Sequence, residues 1–188
     1  MRAHNKIHFS VVIAVLFTLH SVPAAAATPG YSGSELSADI ITAVVPFGSY
    51  WLAHNKDDSQ GEGQLLRSIG ASLVLNSALR YGLQDSSWSV RPNGSPYGFP
   101  SGHTAFMASS AAFLQDRYGW KYGVPAYLLT GYVAWVRVDS DHHRWRDVAA
   151  GVALSYGVSK LFVTPHNATR LAPMVGPDWL GMRIERSF

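Results

Sequence analysis

The sequence predicts an all-α fold, a compact bundle of about five to six helices with small-residue-rich central members. Three observations carry that expectation. Apolar residues recur at helical spacing through most of the chain, whereas strand signals are sparse. Two segments are crowded with Ala, Gly and Ser, which lets helix backbones approach closely. Charged residues make up only 14% of the 188, against roughly 25% in average soluble domains, so few faces are solvated.

Taken in order, residues 1–27 read as a signal peptide. Arg2, His4 and Lys6 form a basic start, Phe9 to Val22 an apolar stretch, and Pro23 to Ala27 a small-residue cleavage region. The mature protein is then expected outside the cytoplasm, in the periplasm. Residues 28–35 are a Pro/Gly/Ser linker. The helical domain is placed at 36–163. Leu36 to Ala53 fits a helix that Pro46 should kink or divide. Leu65 to Leu83 is the clearest helix, with Leu65, Ile69, Leu73 and Leu79 near one stripe and Arg67 and Arg80 interrupting it. Gln84 to Phe99 reads as a loop, marked by Pro92-Asn93-Gly94 and Pro96. His103 to Arg117 is the next helix, with Ser101 as its N-cap, and its small residues place it centrally. A turn at Tyr118 to Gly123 leads to an apolar helix, Val124 to Val136. The last long helix is set at His143 to Val163. Residues 164–188 form an irregular tail, in which Leu180, Met182 and Ile184 alternate as in a short strand.

The composition excludes several classes. There is no cysteine, hence neither disulfide nor thiolate chemistry. Removing Arg2 and Lys6 from the 15 basic residues leaves 13 against 12 acids, with no clustered basic face for nucleic acid. No mature segment offers 18 apolar residues free of charge. Trp51, Trp120 and Trp145 near helix ends fit either ordinary core aromatics or an interfacial belt, so a membrane surface remains a candidate partner.

The polar residues that remain concentrate between Arg91 and Asp147. Ser101-Gly102-His103 opens a helix, whose first N–H groups and dipole attract an anion. His143 and Asp147 stand at i, i+4, one face of a helix, where a carboxylate fixes an imidazole tautomer and frees the other nitrogen. Arg91 lies in a Gly/Pro loop and Arg137 ends an apolar helix, and guanidinia so placed usually have an anionic partner. Taken singly, each feature also fits a structural role: a capped helix, a surface pair, or a salt bridge from Arg137 to Asp139 or Asp141.

In order, Arg91-Pro92, Pro100-Ser101-Gly102-His103 and Arg137-x5-His143-x3-Asp147 resemble the three motifs of the type-2 phosphatidic-acid phosphatase superfamily. That superfamily includes bacterial class A acid phosphatases and vanadium haloperoxidases. Val136 stands where a serine is usual, and Gln84 where the first motif has a lysine. The resemblance implies that His143 attacks phosphorus, Asp147 orients it, and His103 protonates the leaving oxygen. Arg91, Arg137, Ser101 and the backbone of Gly102 hold the phosphoryl oxygens, with Gln84 a weaker neighbour. His142 lacks the motif spacing and is expected to be a solvated neighbour. No cofactor is expected and no metal site. The implied activity is metal-independent hydrolysis of a phosphomonoester or pyrophosphate through a phospho-histidine. A lipid phosphate is the favoured substrate, of phosphatidic-acid, phosphatidylglycerol-phosphate or polyprenyl-pyrophosphate type. A soluble phosphomonoester is the alternative. A vanadate-dependent haloperoxidase and an inactive anion binder are further readings.

Overall fold

The computed structural model describes residues 32–166, 169–176 and 179–186. The signal-peptide expectation for residues 1–27 lies outside them. Five helices form the bundle: α1 (Gly33–Asn55), α2 (Ser59–Gly82), α3 (Gly102–Tyr118), α4 (Trp120–Asp139) and α5 (Trp145–Phe162). The fold is all-α in its body, as the sequence predicts. The tail departs from that expectation. Instead of being irregular, it forms an antiparallel hairpin, β1 (Thr169–Gly176) and β2 (Trp179–Arg186), in the register Gly176↔Trp179 to Thr169↔Arg186. The alternation at Leu180, Met182 and Ile184 was the strand signal.

Helix boundaries shift for local reasons. The linker is shorter than expected, because Ser32 caps α1 in a reciprocal box with Glu35. Pro46 does not divide α1, which is assigned through it without a break. The turn before α4 shrinks to Gly119, whose φ of 89° is open to glycine at no steric cost. α5 starts at Trp145, not at His143, and His143 belongs to the preceding loop.

The centre of the bundle is α3, packed against all four other helices. Its small residues make this contact, and Ala105, Ala108, Ala111, Ala112, Ser109 and Ser110 are all buried. A Cβ at Gly151 would lie 2.7 Å from the Ser101 carbonyl, so only glycine lets α5 meet the start of α3 this closely. Phe113, Leu65, Met107, Val133 and Val136 fill the rest of the core. On α2 the buried stripe runs Leu65, Ile69, Leu73 and then Asn76, while Leu79 is exposed.

Because successive helices alternate in direction, polar residues sort to two ends. One end gathers the starts of α1, α3 and α5 and the ends of α2 and α4. The other gathers the α1–α2 connection, the end of α3 and the segment after α5.

Candidate active site

The first end holds the predicted site residues. The connection from α4 to α5 places His143. After α4 the chain turns through Ser140 and Asp141, and the His142 and His143 amides both donate to the Arg137 carbonyl, at 3.1 and 3.0 Å. This reversal is why an arginine and a histidine six positions apart stand together. The His143 ring is buried, and its Nδ1 is 2.7 Å from the Gly98 carbonyl. A carbonyl only accepts, so Nδ1 carries the proton and Nε2 keeps its lone pair.

Gly98 is held for that purpose. Its amide donates to the Ser89 carbonyl at 2.6 Å, and a Cβ there would lie 3.0 Å from both Arg91 Cγ and that carbonyl. The preceding residue, Tyr97, has a φ of 63°, uncommon for a side chain of this bulk. The Tyr97 carbonyl accepts from Arg80 Nε at 3.0 Å and from Arg91 Nη2 at 3.5 Å.

Asp147 has a different place from the one its spacing suggests. Its Oδ2 accepts the Arg144 amide at 2.7 Å, closing the first turn of α5, and lies 3.9 Å from His143 Nδ1. The direct orienting contact therefore comes from the Gly98 carbonyl, with the Asp147 carboxylate as a nearby charge. The Asp147 carbonyl accepts from the Ser101 amide at 3.0 Å, tying the two motifs together. Ser101 is the N-cap residue of α3, but its hydroxyl is engaged with Thr104 at 3.1 Å instead of capping the helix. Gly102 begins α3 and is buried. His103 Nε2 faces Asp39 Oδ1 at 3.5 Å.

Three guanidinia converge here. Burial, with Arg91 next and then Arg137 and Arg80, pushes His143 down to about 3, although the Gly98 hydrogen bond opposes this. Burial lowers Arg91 too, followed by Arg80 and Arg137. Arg80 was the residue that sequence reasoning missed. Gln84, by contrast, spends its amide oxygen on the Tyr97 hydroxyl at 3.1 Å near the surface. The available clue was spacing alone, since Arg80 lies four residues before Gln84, which stands past the end of α2. Arg137 has a carboxylate beside it, that of Asp39 at 3.6 Å, which the sequence did not single out. His142 is half-buried, not solvated, and its Nδ1 lies 3.7 Å from Glu35. Burial, then Arg137, lowers its pKa. Among the described residues no group of three or more His, Asp or Glu side chains is placed to hold a metal ion.

A buried histidine held neutral beside Arg80, Arg91 and Arg137 gives this end of the bundle the charge and the lone pair that an anionic group would meet. The PAP2 superfamily model matches residues 42–170, and the chain belongs to that superfamily. It is a phosphatase, a hydrolase of phosphoric esters. More particularly, it is similar to the lipid A 4'-phosphatase of Helicobacter pylori (strain J99 / ATCC 700824). The two are 28% identical over 138 residues, covering 66% of this chain and 68% of the relative. No solved structure matches the chain.

Proposed function

We propose that the protein removes phosphate from a lipid, without a metal, through a phosphorylated His143. The convergence of Arg80, Arg91 and Arg137 on a histidine held neutral is the observation that carries this reading. Phosphoryl transfer needs positioning and stabilisation of the equatorial oxygens, and three guanidinia with the α3 N-terminus supply both. His143 Nε2 attacks phosphorus while the bond to the leaving oxygen breaks. His103 gives that oxygen its proton. Water then attacks the phosphorus, passes a proton to His103, and the P–N bond breaks to restore neutral His143. Arg80 takes the place of the motif cation that Gln84 does not offer.

The outer surface supports a lipid substrate. Leu36, Ile40, Val44, Phe47 and Trp51 form an exposed apolar stripe along α1. Leu128 and Leu161 are 71% and 80% exposed on α4 and α5. Trp51 and Trp120 at one end and Trp145 at the other are 66%, 62% and 60% exposed, which favours an interfacial belt over core packing. Among the described residues one helix, α1, is long and apolar enough to cross a membrane. A membrane-associated enzyme on the periplasmic side fits these faces, the basic and apolar N-terminus and the lipid A 4'-phosphatase relative.

The test is phosphate release in EDTA from lipid phosphates presented in vesicles, beside soluble sugar and nucleoside phosphates. Preferential release from lipids, abolished in His143→Asn, is expected. Preference for soluble esters overturns the lipid assignment, and loss of activity in EDTA overturns the metal-free one.

A further inference from the structure

The two histidines must sit in opposite protonation states, yet Arg137, which bears on His143, also shares the Asp39 carboxylate with His103. A nucleophile has to be neutral, whereas the acid that serves the leaving oxygen has to hold a proton. A neighbouring cation favours a neutral ring, which suits a nucleophile and not an acid. Something local must separate them, and α1 provides it. Asp39 projects from α1 with a side chain only 10% exposed, and its Oδ1 lies 3.5 Å from His103 Nε2 and 3.6 Å from Arg137 Nη1.

We propose that Asp39 is a positioning residue that keeps His103 protonated and aimed as the general acid, and that it thereby divides the proton work between the two histidines. The inference rests on the phospho-histidine phosphatase reading above.

The charged surroundings are consistent with that division. From α1 the site is faced by Asp39 and, one turn earlier, Glu35, which is bound to its Ser32 cap and lies beside His142. From the end of α4 comes Arg137. From α2 and the following loop come Arg80 and Arg91, and from the segment leading into α5 come His142, His143 and Asp147. Asp147 sits nearest His143 among the carboxylates, but it is turned to the Arg144 amide and to Arg146 Nε at 3.4 Å. Asp39 is the carboxylate placed against His103. Its contact with Arg137 has a second consequence. The carboxylate occupies part of the field that Arg137 offers to phosphate, which weakens the grip on the released product.

The experiment compares an alkyl phosphate with 4-nitrophenyl phosphate, using the full chain in detergent. An alkoxide leaves only with a proton, whereas 4-nitrophenolate leaves without one. In Asp39→Asn, kcat/KM for the alkyl ester is expected to fall about 10- to 100-fold further than for the aryl ester, the lower range of a general-acid contribution. The basic limb of the alkyl pH profile moves to lower pH, and inhibition by inorganic phosphate tightens. Asp39→Glu restores most of the alkyl rate. Equal losses on both esters with an unmoved basic limb overturn the proposal while leaving the phosphatase reading intact. Wild-type protein that hydrolyses neither ester and no lipid phosphate overturns both. If Asp39→Asn does not fold, Asp39→Glu and the wild-type His103 ring titration by NMR decide it. A His103 ring that is neutral at pH 7 in the wild type contradicts the proposal.

Discussion

The two ends of the bundle treat buried charge in opposite ways. At the far end, Arg117 is fully matched. Its Nη2 and Nε bind Asp58 Oδ1 and Oδ2 at 2.5 and 2.7 Å, and its Nη1 donates to the Thr164 carbonyl at 2.7 Å. Tyr118 and the Gly61 amide complete the carboxylate, with His166 Nδ1 3.2 Å from Oδ2. Although burial alone pushes Asp58 up, these donors hold it down at about 2. At the candidate-site end, three guanidinia bear on His143; Arg80 and Arg91 lean on the Tyr97 carbonyl, and Arg137 faces Asp39. Among the described residues, Asp39, Asp147 and, more distantly, Glu35 offset them. A buried charge with every partner in place is there for the fold, and a surplus of one sign marks a place kept for a ligand of the other.

Substitutions at each end should therefore fail in different ways. The largest effect is expected from His143→Asn, which removes the proposed nucleophile and should lower kcat by at least about 1,000-fold in phosphate-release assays while the fold persists. Next is Arg80→Ala, expected to cost about 100- to 1,000-fold in kcat/KM, the scale of one lost transition-state donor. Gln84→Ala should change it by less than about 3-fold on the same scale. If Gln84→Ala proves the more damaging, the assignment of the third cation to Arg80 is wrong.

At the far end the cost should appear in stability. Arg117→Met leaves Asp58 buried and unpaired, with a loss of about 3–5 kcal/mol in denaturant unfolding. The protein that remains folded should keep its wild-type kcat/KM. A further effect, confined to acid pH, is a pH signature. His143 is held near 3 in the fold against a usual 6.5, so the unfolded chain binds the extra proton between those values. Stability contributed by neutral His143 is present above pH 6.5 and falls as pH drops toward 3. His143→Asn should flatten that part of a stability-against-pH curve. An unchanged slope would mean that the ring is not buried neutral.

The bundle itself was legible because α1 to α5 carry apolar residues at helical period and α3 is crowded with alanine and serine. Of the candidate site, the sequence showed Arg91, His103, Arg137 and His143; the turn after α4 brings Arg137 and His143 together and the start of α3 carries His103. Other parts were not legible. A carbonyl such as that of Gly98 has no side-chain signal, so the spacing to Asp147 suggested a contact that the backbone makes instead. Arg80 looked like an interruption of an apolar helix, since its neighbours in the cradle come from other elements. Asp39 lies far in sequence from both groups it faces, and only the packing of α1 beside α3 and α4 brings them together. In the tail, β1 contains Pro173, which cannot donate to a ladder, and yet this segment pairs with β2.

The central claim is that His143 carries the phosphoryl group within the three-arginine cradle. The direct measurement is to quench turnover in base and locate the acid-labile phosphate by mass spectrometry. Phosphate on the His143 peptide, absent from His143→Asn and accumulating when His103→Ala slows its hydrolysis, is the predicted result. Phosphate on another residue, or a His143→Asn protein as active as wild type, would contradict the account.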